Sequence, residues 1–557
     1  MGREHSVGRG GESLCYNVRD MSSGEAGLTA ARPAASGGGL ARAASLIAVG
    51  TIASRILGLV RDVVIAAMFG ATSVKSAFVI AYSLPFFVQR LFLGGTLSIV
   101  FIPTITRVLM RGDAEETERV VTTTLNLVIL IGLIMVFVGI LAAPVLVPIA
   151  APGYLTINPA VLTQAVVLTR VMFVSMVFLA LSAFATGYLN AHRQFGVPAL
   201  APTVFNVVII AGVIVLAPRI GVLGIAVSFL AGWVAQFVVQ LPASRAAGLR
   251  WSPRIDLAHP VIREMGRMAL PAMLGMAVIE INSNVNRFFA SFLHGTPGVD
   301  YVAVLDYAFQ LIQAPVAIFA LSLATALFPT MARHAAGSGH RLLRETTSLG
   351  LRGVLFTMMP VMAAIFVASH LMVRVIFQRG VFEPAATQAV AAALVAFAVG
   401  TVPYAAYFIV TRTYYALHDT RTPVRVGLFM IALNALGNFV LMRWFGFVGI
   451  SLCTSVVAAV NVGALLWLLR RRLEGFGARE VLSTAVRTTI ASAALAAVML
   501  LTLRVMARVT SPEHLSGALV QLGAALLAGG VVYLAVCAAL GVEELELLRG
   551  FSRAGRA

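Results

Sequence analysis

The chain has 557 residues, 59% of them hydrophobic and 11% charged, with a mean hydropathy of +0.92. Soluble domains lie nearer about 45–50% apolar and about 25% charged, so a soluble enzyme, a disordered tail and a fibrous protein are excluded. The net charge is +18, and in so apolar a chain that excess is expected in loops on one membrane face rather than against nucleic acid. In chain order, residues 1–43 are polar and rich in Gly, Ala and Ser, and read as a disordered cytoplasmic N-terminus without a signal-peptide core; Met21 is an alternative start. Fourteen apolar segments follow, near 44–69, 76–110, 120–148, 159–190, 197–217, 222–243, 265–293, 301–332, 345–371, 386–416, 424–442, 447–469, 486–507 and 517–541. Each is long enough for a spanning helix, which needs about 20 mostly apolar residues. The 76–110 run is too long for one straight span and is expected to tilt, bend or protrude, with Pro85, Gly94 and Gly95 as break points. The polar tail 546–557 closes the chain.

Loop cations set the orientation. The loops on the side of the termini hold 29 Lys and Arg, the opposite loops 7, which places both termini in the cytoplasm. Lys75 is the single lysine. The triplet Arg470-Arg471-Arg472 reads as a topology anchor. The cysteines Cys15, Cys453 and Cys537 are too scattered for a disulfide framework or zinc site.

The sequence repeats. Phe101-Ile-Pro103-Thr104 recurs as Leu327-Phe-Pro329-Thr330, His192 matches His418, Pro198 matches Pro423, and Gly221 to Ile225 matches Gly446 to Ile450. The common offset of about 225 residues marks a duplicated unit. Each unit holds six spans, so the two are parallel. The expected fold is an all-α polytopic membrane protein of about fourteen helices. It divides into a six-helix N-lobe (44–246), a six-helix C-lobe (261–472) and two further helices (483–545). Two parallel lobes around a midplane cavity suit alternating access.

The informative charges are those inside spans, where each is expensive. Arg55, Arg61 and Asp62 lie in the first span and Arg90 in the second. Net positive charge there predicts an anionic, phosphate-bearing substrate, since Arg pairs bidentately with phosphate. The alternative is interhelical pairing, with Asp62 neutralising Arg55 or Arg61. In the second lobe Glu280, Asn434, Asn438 and Thr454 supply the oxygens a sodium ion takes, or else hydrogen-bond between helices. Glu280 and Arg287 share a helix face, as a pair or as a site, and Asp306 is expected at the interface. Neither a zinc-protease, a nucleophile-elbow, a P-loop nor a paired-carboxylate motif occurs in a plausible context, so an enzyme is not expected.

From Ser54-Arg55 through Gly58 to Arg61-Asp62 the sequence resembles the opening of the MviN/MurJ lipid II flippases, of the multidrug/oligosaccharidyl-lipid/polysaccharide exporter superfamily. The resemblance continues through Phe69-Gly70-Ala71, Leu84-Pro85, Arg90-Leu-Phe92, Phe101-Ile-Pro103, Ala151-Pro152-Gly153 and Asp419-Thr-Arg-Thr-Pro423. It covers roughly residues 44–545. It implies a bacterial inner-membrane flippase that carries undecaprenyl-pyrophosphate-linked disaccharide-peptide, lipid II, from the cytoplasmic to the periplasmic leaflet. It also implies a cationic cavity at Arg55, Arg61 and Arg90, with Asp62 beside them. A lipid-tail groove at the last two helices, coupling to sodium or membrane potential, and contact with cell-wall synthesis machinery belong to the same implication. Several family charges are replaced: the acid after the first span is Ser76, the Arg-Arg pair is Gln89-Arg90, and an Asp-Arg pair followed by an acid becomes Phe309, Gln310 and Gln313. Gln89, Gln310 and Gln313 are therefore substrate contacts by position. The rivals are a flippase for another lipid-linked oligosaccharide or an exporter of the same superfamily, a polytopic cell-wall glycosyltransferase using Asp300 or Glu383, and a non-transporting scaffold.

Overall fold

A computed structural model describes residues 37–92, 101–293, 295–337, 340–473 and 475–545; the side chains of 37–49, 90–92, 102, 269–280 and 283 lie outside that description. Among the described residues every regular element is a helix. Helices satisfy their own backbone groups, which an apolar chain in lipid requires. Residues from Leu46 onward form one compact unit.

The first half of the chain contains α1 (Gly37–Phe69), α2 (Ser73–Phe92), α3 (Ile102–Met110), α4 (Ala114–Ala150), the single turn α5 (Tyr154–Ile157), α6 (Pro159–Ala191), α7 (Gly196–Ile220), α8 (Leu223–Val238) and the short α9 (Leu241–Ala246). The α6 helix is central and packs on α2, α4 and α8. Asp113 caps α4 by accepting from the amides of Glu115 and Glu116, and those two acids favour the positive helix end. On α4 the residues Ile134, Phe137, Leu141 and Val145 are exposed, an apolar face turned outward as lipid demands.

The second half contains α10 (Pro260–Ala290), α11 (Tyr301–Pro315), a π turn (Val316–Ala320), α12 (Leu321–Ala336), α13 (Arg341–Phe377), α14 (Pro384–Ala398), α15 (Thr401–Ala416) and α16 (Arg421–Leu473), followed by α17 (Ala478–Met506) and α18 (Leu515–Ala539). The α17–α18 pair packs on α13. Helix packing between the halves includes α10 on α2 and α4, and α11 on α2.

The duplication is visible in the backbone. Gly221 and Gly446 share φ near +60° (60° and 56°) and ψ of −141° and −136°. Arg193 (φ 59°) and His418 (φ 55°) are the two non-glycine residues with positive φ among those described. The structural counterpart of His418 is therefore Arg193 rather than His192, which restores the offset of about 225 residues. Gly212 faces Ser228 and Gly437 faces Cys453 at the same spacing, each glycine admitting a side chain where a Cβ would collide.

Several spans differ from expectation. Among the described residues nine helices are long and apolar enough to cross a membrane, or ten if α14 and α15 count as one span, with the two helices of α16 counted once; the exact count of fourteen is not confirmed. The expected 386–416 helix is broken between α14 and α15 by a 47° bend. At the break the Ser455 hydroxyl donates to the carbonyls of Ala396 (2.7 Å) and Phe397 (3.2 Å), and the Phe397 carbonyl also accepts from the Gly400 amide (3.0 Å). The 424–442 and 447–469 segments are two helices, as expected: they meet at Gly446, whose non-helical φ/ψ (56°, −136°) separates them as Gly221 separates α7 from α8, and α16 denotes the pair. Within 76–110, α2 is described to Phe92 and α3 begins at Ile102; Gly94 and Gly95 lie outside the described residues. Helix α1 begins at Gly37, seven residues inside the stretch expected to be disordered; residues 1–36 and the tail 546–557 lie outside the described residues.

Candidate functional site

A cavity of about 400 Å³ lies between the halves. Arg61, Asp62, Tyr82 and Phe86 line it from α1 and α2. Asn282, Asn286, Arg287, Asp306, Gln310 and Gln313 line it from α10 and α11, and Thr454 and Asn461 from α16.

Arg61 is fully engaged. Its Nε (3.0 Å) and Nη2 (2.9 Å) meet Asp62 Oδ1, its Nη1 donates to Asn206 Oδ1 (3.2 Å), and its guanidinium lies 5.5 Å from the Phe229 ring centroid. Asn206 in turn donates to the Ser54 carbonyl (3.2 Å) and the Pro202 carbonyl (3.0 Å), fixing α7 against α1. The neutral pairing considered for Arg61 is thus present. Arg55 does not join it: it is exposed and is not among the residues lining this cavity. Seven residues separate Arg55 from Asp62, about 10 Å along a helix, so a shared face does not bring them into contact. Arg90 and Glu280 sit in α2 and α10, and their side chains lie outside the described residues. Gln89 is half-buried, with Oε1 lacking a partner among the described residues, and does not line this cavity.

A second charge cluster was not anticipated as a unit. Asp306 Oδ2 meets Lys75 Nζ at 3.4 Å and accepts from Gln310 Nε2 at 2.9 Å, while Oδ1 lies 3.9 Å from Arg287 Nη2. The Lys75 and Asp306 side chains are 6% and 13% exposed, so this ion pair between α2 and α11 is buried. Lys75 is also held between the rings of Phe78 (5.4 Å) and Tyr307 (5.0 Å). A lone lysine among 41 basic residues was the available sequence signal.

The second-lobe oxygens do come together, through a residue outside the expected set. Asn286 Oδ1 accepts from Asn434 (3.0 Å) and Asn438 (2.9 Å), and Asn286 Nδ2 donates to Thr454 Oγ1 (2.9 Å). Asn434 and Asn438 are fully buried. The described members of this network carry no charge, and Asn438 Oδ1 and Asn282 Oδ1 are buried without a partner; the Asn282 carbonyl accepts from Asn434 Nδ2 at 3.5 Å, and the Glu280 side chain lies outside the described residues. The arrangement, neutral among its described members, fits a hydrogen-bonded clasp between α10 and α16.

One end of the cavity is closed by a latch. Asp300, which caps α11, accepts at Oδ1 from Ser76 Oγ (2.6 Å), Tyr154 Oη (2.6 Å) and the Val302 amide (3.0 Å). Ser76 Oγ also accepts from the Ala303 amide (3.0 Å), and the Gly153 amide donates to Ser291 Oγ (3.0 Å). Burial pushes the Asp300 carboxyl above its ordinary value, against the pull of the Ser76, Tyr154 and Val302 donors. Burial, then the facing carboxylate, raises the Tyr154 hydroxyl, which therefore stays a donor. Backbones complete the closure: the Val381 amide donates to the Ala67 carbonyl at 2.8 Å, and the Asp300 amide to the Ala71 carbonyl at 2.7 Å. Gly70 and Gly380, both at positive φ, lie at this contact.

At the opposite end the connection between the halves is pinned to α4. Asn126 Nδ2 donates to the carbonyls of Ser252 (2.7 Å) and Arg254 (2.8 Å), Trp251 Nε1 donates to Asn126 Oδ1 (3.0 Å), and the Asp256 amide donates to Thr123 Oγ1 (3.3 Å).

The family model described as lipid II flippase MurJ matches residues 65–525. A probable lipid II flippase MurJ of Haemophilus influenzae is 30% identical over 74% of this chain and 82% of its own length. The lipid II flippase MurJ of Burkholderia cenocepacia is 28% identical over 76% of this chain and 82% of its own. Among solved structures, a lipid II flippase MurJ in an inward closed conformation superposes with a TM-score of 0.73 at 23% identity, covering 90% of this chain and 99% of that one. An inward-facing MATE family transporter of the MOP superfamily gives 0.60 at 15% identity, covering 76% and 94%. These superpositions speak to the fold.

Proposed function

The chain belongs to the lipid II flippase MurJ family, and on that footing we propose that it carries lipid II from the inner to the outer leaflet of a bacterial inner membrane by alternating access. The protein is a multi-pass membrane protein with the fold of these transporters. The cation bias among the loops supports cytoplasmic termini. The α1–α2 turn, one crossing later, is then on the outer side. The latch around Asp300 becomes the outer gate, and the pinned connection lies at the cytoplasmic mouth.

The carrying observation is a charged cavity between two halves with one end latched by hydrogen bonds that cross between them. A polar head entering from the cytoplasmic side meets Arg61, Arg287, Gln310 and Gln313. Arg55 and Arg90 remain part of the proposal as cationic residues of the first two helices, and Gln89 as their neighbour. The lipid tail is assigned to the surface of α17 and α18. Opening the outer side requires the latch and the Lys75–Asp306 pair to part. No bond of the substrate is made or broken in this cycle. The driving force is assigned to the membrane potential, with the Asn286 network read as a neutral clasp among its described members. Docking to cell-wall synthesis machinery is a further part of the reading.

Complementation tests the assignment. Cells depleted of their own flippase should regain lipid II export and growth when this chain is expressed. Correctly inserted protein without restored export would defeat it.

A further inference from the structure

Arg287 differs from every other described cation at the cavity. Arg61 is neutralised by Asp62 through two contacts within 3.0 Å. Lys75 is neutralised by Asp306, enclosed by two rings and almost fully buried. Arg287 lines the cavity, is one-quarter exposed, and has two long contacts: 3.9 Å to Asp306 Oδ1 and 3.4 Å to Asn284 Oδ1. Good guanidinium–carboxylate bonds are about 2.7–2.9 Å. Two neutral pairs plus one loosely held arginine leave the described cavity one positive charge in excess, located on Arg287.

Asp306 is placed to release it. Its Oδ2 keeps the Lys75 ammonium and the Gln310 amide whether or not Arg287 stays near Oδ1. The carboxylate is therefore not left as an unpaired buried charge when the arginine turns away, the outcome that makes most buried pairs hard to break. Gln310 and Gln313 line the same wall and can hydrogen-bond to a polar head.

We propose that Arg287 is the anion-binding residue of the second half and that Asp306 is its resident counter-ion, displaced when a phosphate group of the substrate enters the cavity. This rests on the reading of the substrate as a lipid-linked pyrophosphate and locates its grip on α10, beside the α11 helix that carries the latch. Substrate charge then replaces Asp306 at Arg287 while Lys75 continues to hold Asp306, so the cavity accepts an anion before the tie between the halves is broken.

The test is binding of farnesyl pyrophosphate, with farnesol as the neutral control, to the full chain in lipid nanodiscs. Arg287→Gln should weaken farnesyl pyrophosphate binding at least about tenfold, the loss of one charge-assisted contact, and leave farnesol unchanged. Asp306→Asn should tighten it severalfold by removing the competitor. If that variant does not fold because Lys75 is left unpaired, the double variant Lys75→Met/Asp306→Asn serves in its place with the same expectation. Wild-type affinity in Arg287→Gln overturns the role of Arg287, and unchanged or weaker binding without Asp306 overturns the counter-ion. A wild-type chain that does not distinguish farnesyl pyrophosphate from farnesol overturns the anionic substrate itself, a failure separate from that of Arg287.

Discussion

Ser76 and Asp300 are 224 residues apart in sequence and 2.6 Å apart in space, one in each half of the protein. Their hydrogen bond is charge-assisted, and Ser76 also accepts from the Ala303 amide. Ser76→Ala removes both. A hydrogen bond to a charged group contributes about 1.5–3 kcal/mol, so the closed-to-open ratio of this end should fall at least about tenfold. Spin labels at the exposed positions Thr156 and Thr296 read the change as a longer distance population in the variant. An unaltered distribution would mean the bond does not hold the gate.

The same end should be sensitive to a single methyl group. Gly380 has φ of +56°, and a Cβ there would collide with the Ala67 carbonyl. The left-handed conformation costs a side-chain-bearing residue about 1–2 kcal/mol. Gly380→Ala should therefore separate the Thr156–Thr296 label pair as Ser76→Ala does, although it removes no hydrogen-bonding side chain. A control, Gly523→Ala, where nothing lies within 4 Å of the added atom, should leave the distance as it is.

Lys75→Met strands Asp306 in a buried site. Removing one partner of such a pair costs about 3–5 kcal/mol. Thermal unfolding in detergent should show a clear drop for Lys75→Met and recovery of most of it in Lys75→Met/Asp306→Leu. Equal loss in the single and double variants would show that the pair is not coupled.

Asn286 is the hub of the α10–α16 clasp, and Asn286→Ala leaves two buried amides and the Thr454 hydroxyl without it. Each buried group left unsatisfied costs about 1–3 kcal/mol. Asn286→Ala should lower the Tm more than Thr454→Val does. Exchanging sodium for potassium chloride should leave the wild-type Tm unchanged; a sodium-specific rise would count against the neutral clasp.

Asp419 governs a pH response at the α15–α16 corner. Burial alone would raise its carboxyl, but the Thr422 hydroxyl and amide and the Arg472 guanidinium outweigh it and hold it below the usual range. A value lowered on folding stabilises the fold fully above the unfolded pKa of about 3.9 and ceases to do so as pH falls through the folded value. Wild type should lose its Tm advantage over Asp419→Asn across that acidic window. A constant difference at all pH values would contradict the linkage.

Much of the architecture is written in local pattern, and the site is not. The repeat of Gly221-Val-Leu-Gly224 as Gly446-Phe-Val-Gly449 anticipates a shared backbone turn because only glycine adopts it without strain. Arg61 beside Asp62 anticipates its own neutralisation. That Arg55 lies outside the lining of the cavity could not be read, because a membrane helix is apolar toward both lipid and protein, which erases the periodicity that tells one face from another. The Lys75–Asp306 pair and the Asn286 hub depend on which helices meet, a property of tertiary packing. The contact of Ser455 with the carbonyls at the bend after Ala398 is likewise made from a different helix.

The pinned connection between the halves acts as a leash. Its last fastening to α4 is at Asp256, and α10 begins at Pro260, so four peptide links separate a point fixed on the first half from the first helix of the second. Fully extended, that length is at most about 14 Å. However far the halves swing, the start of α10 cannot travel beyond that radius while Thr123 and Asn126 keep their grip. The aperture at this mouth is thereby rationed by chain length, and lengthening the segment between Asp256 and Pro260 is the way to widen it without touching a residue that meets the cargo.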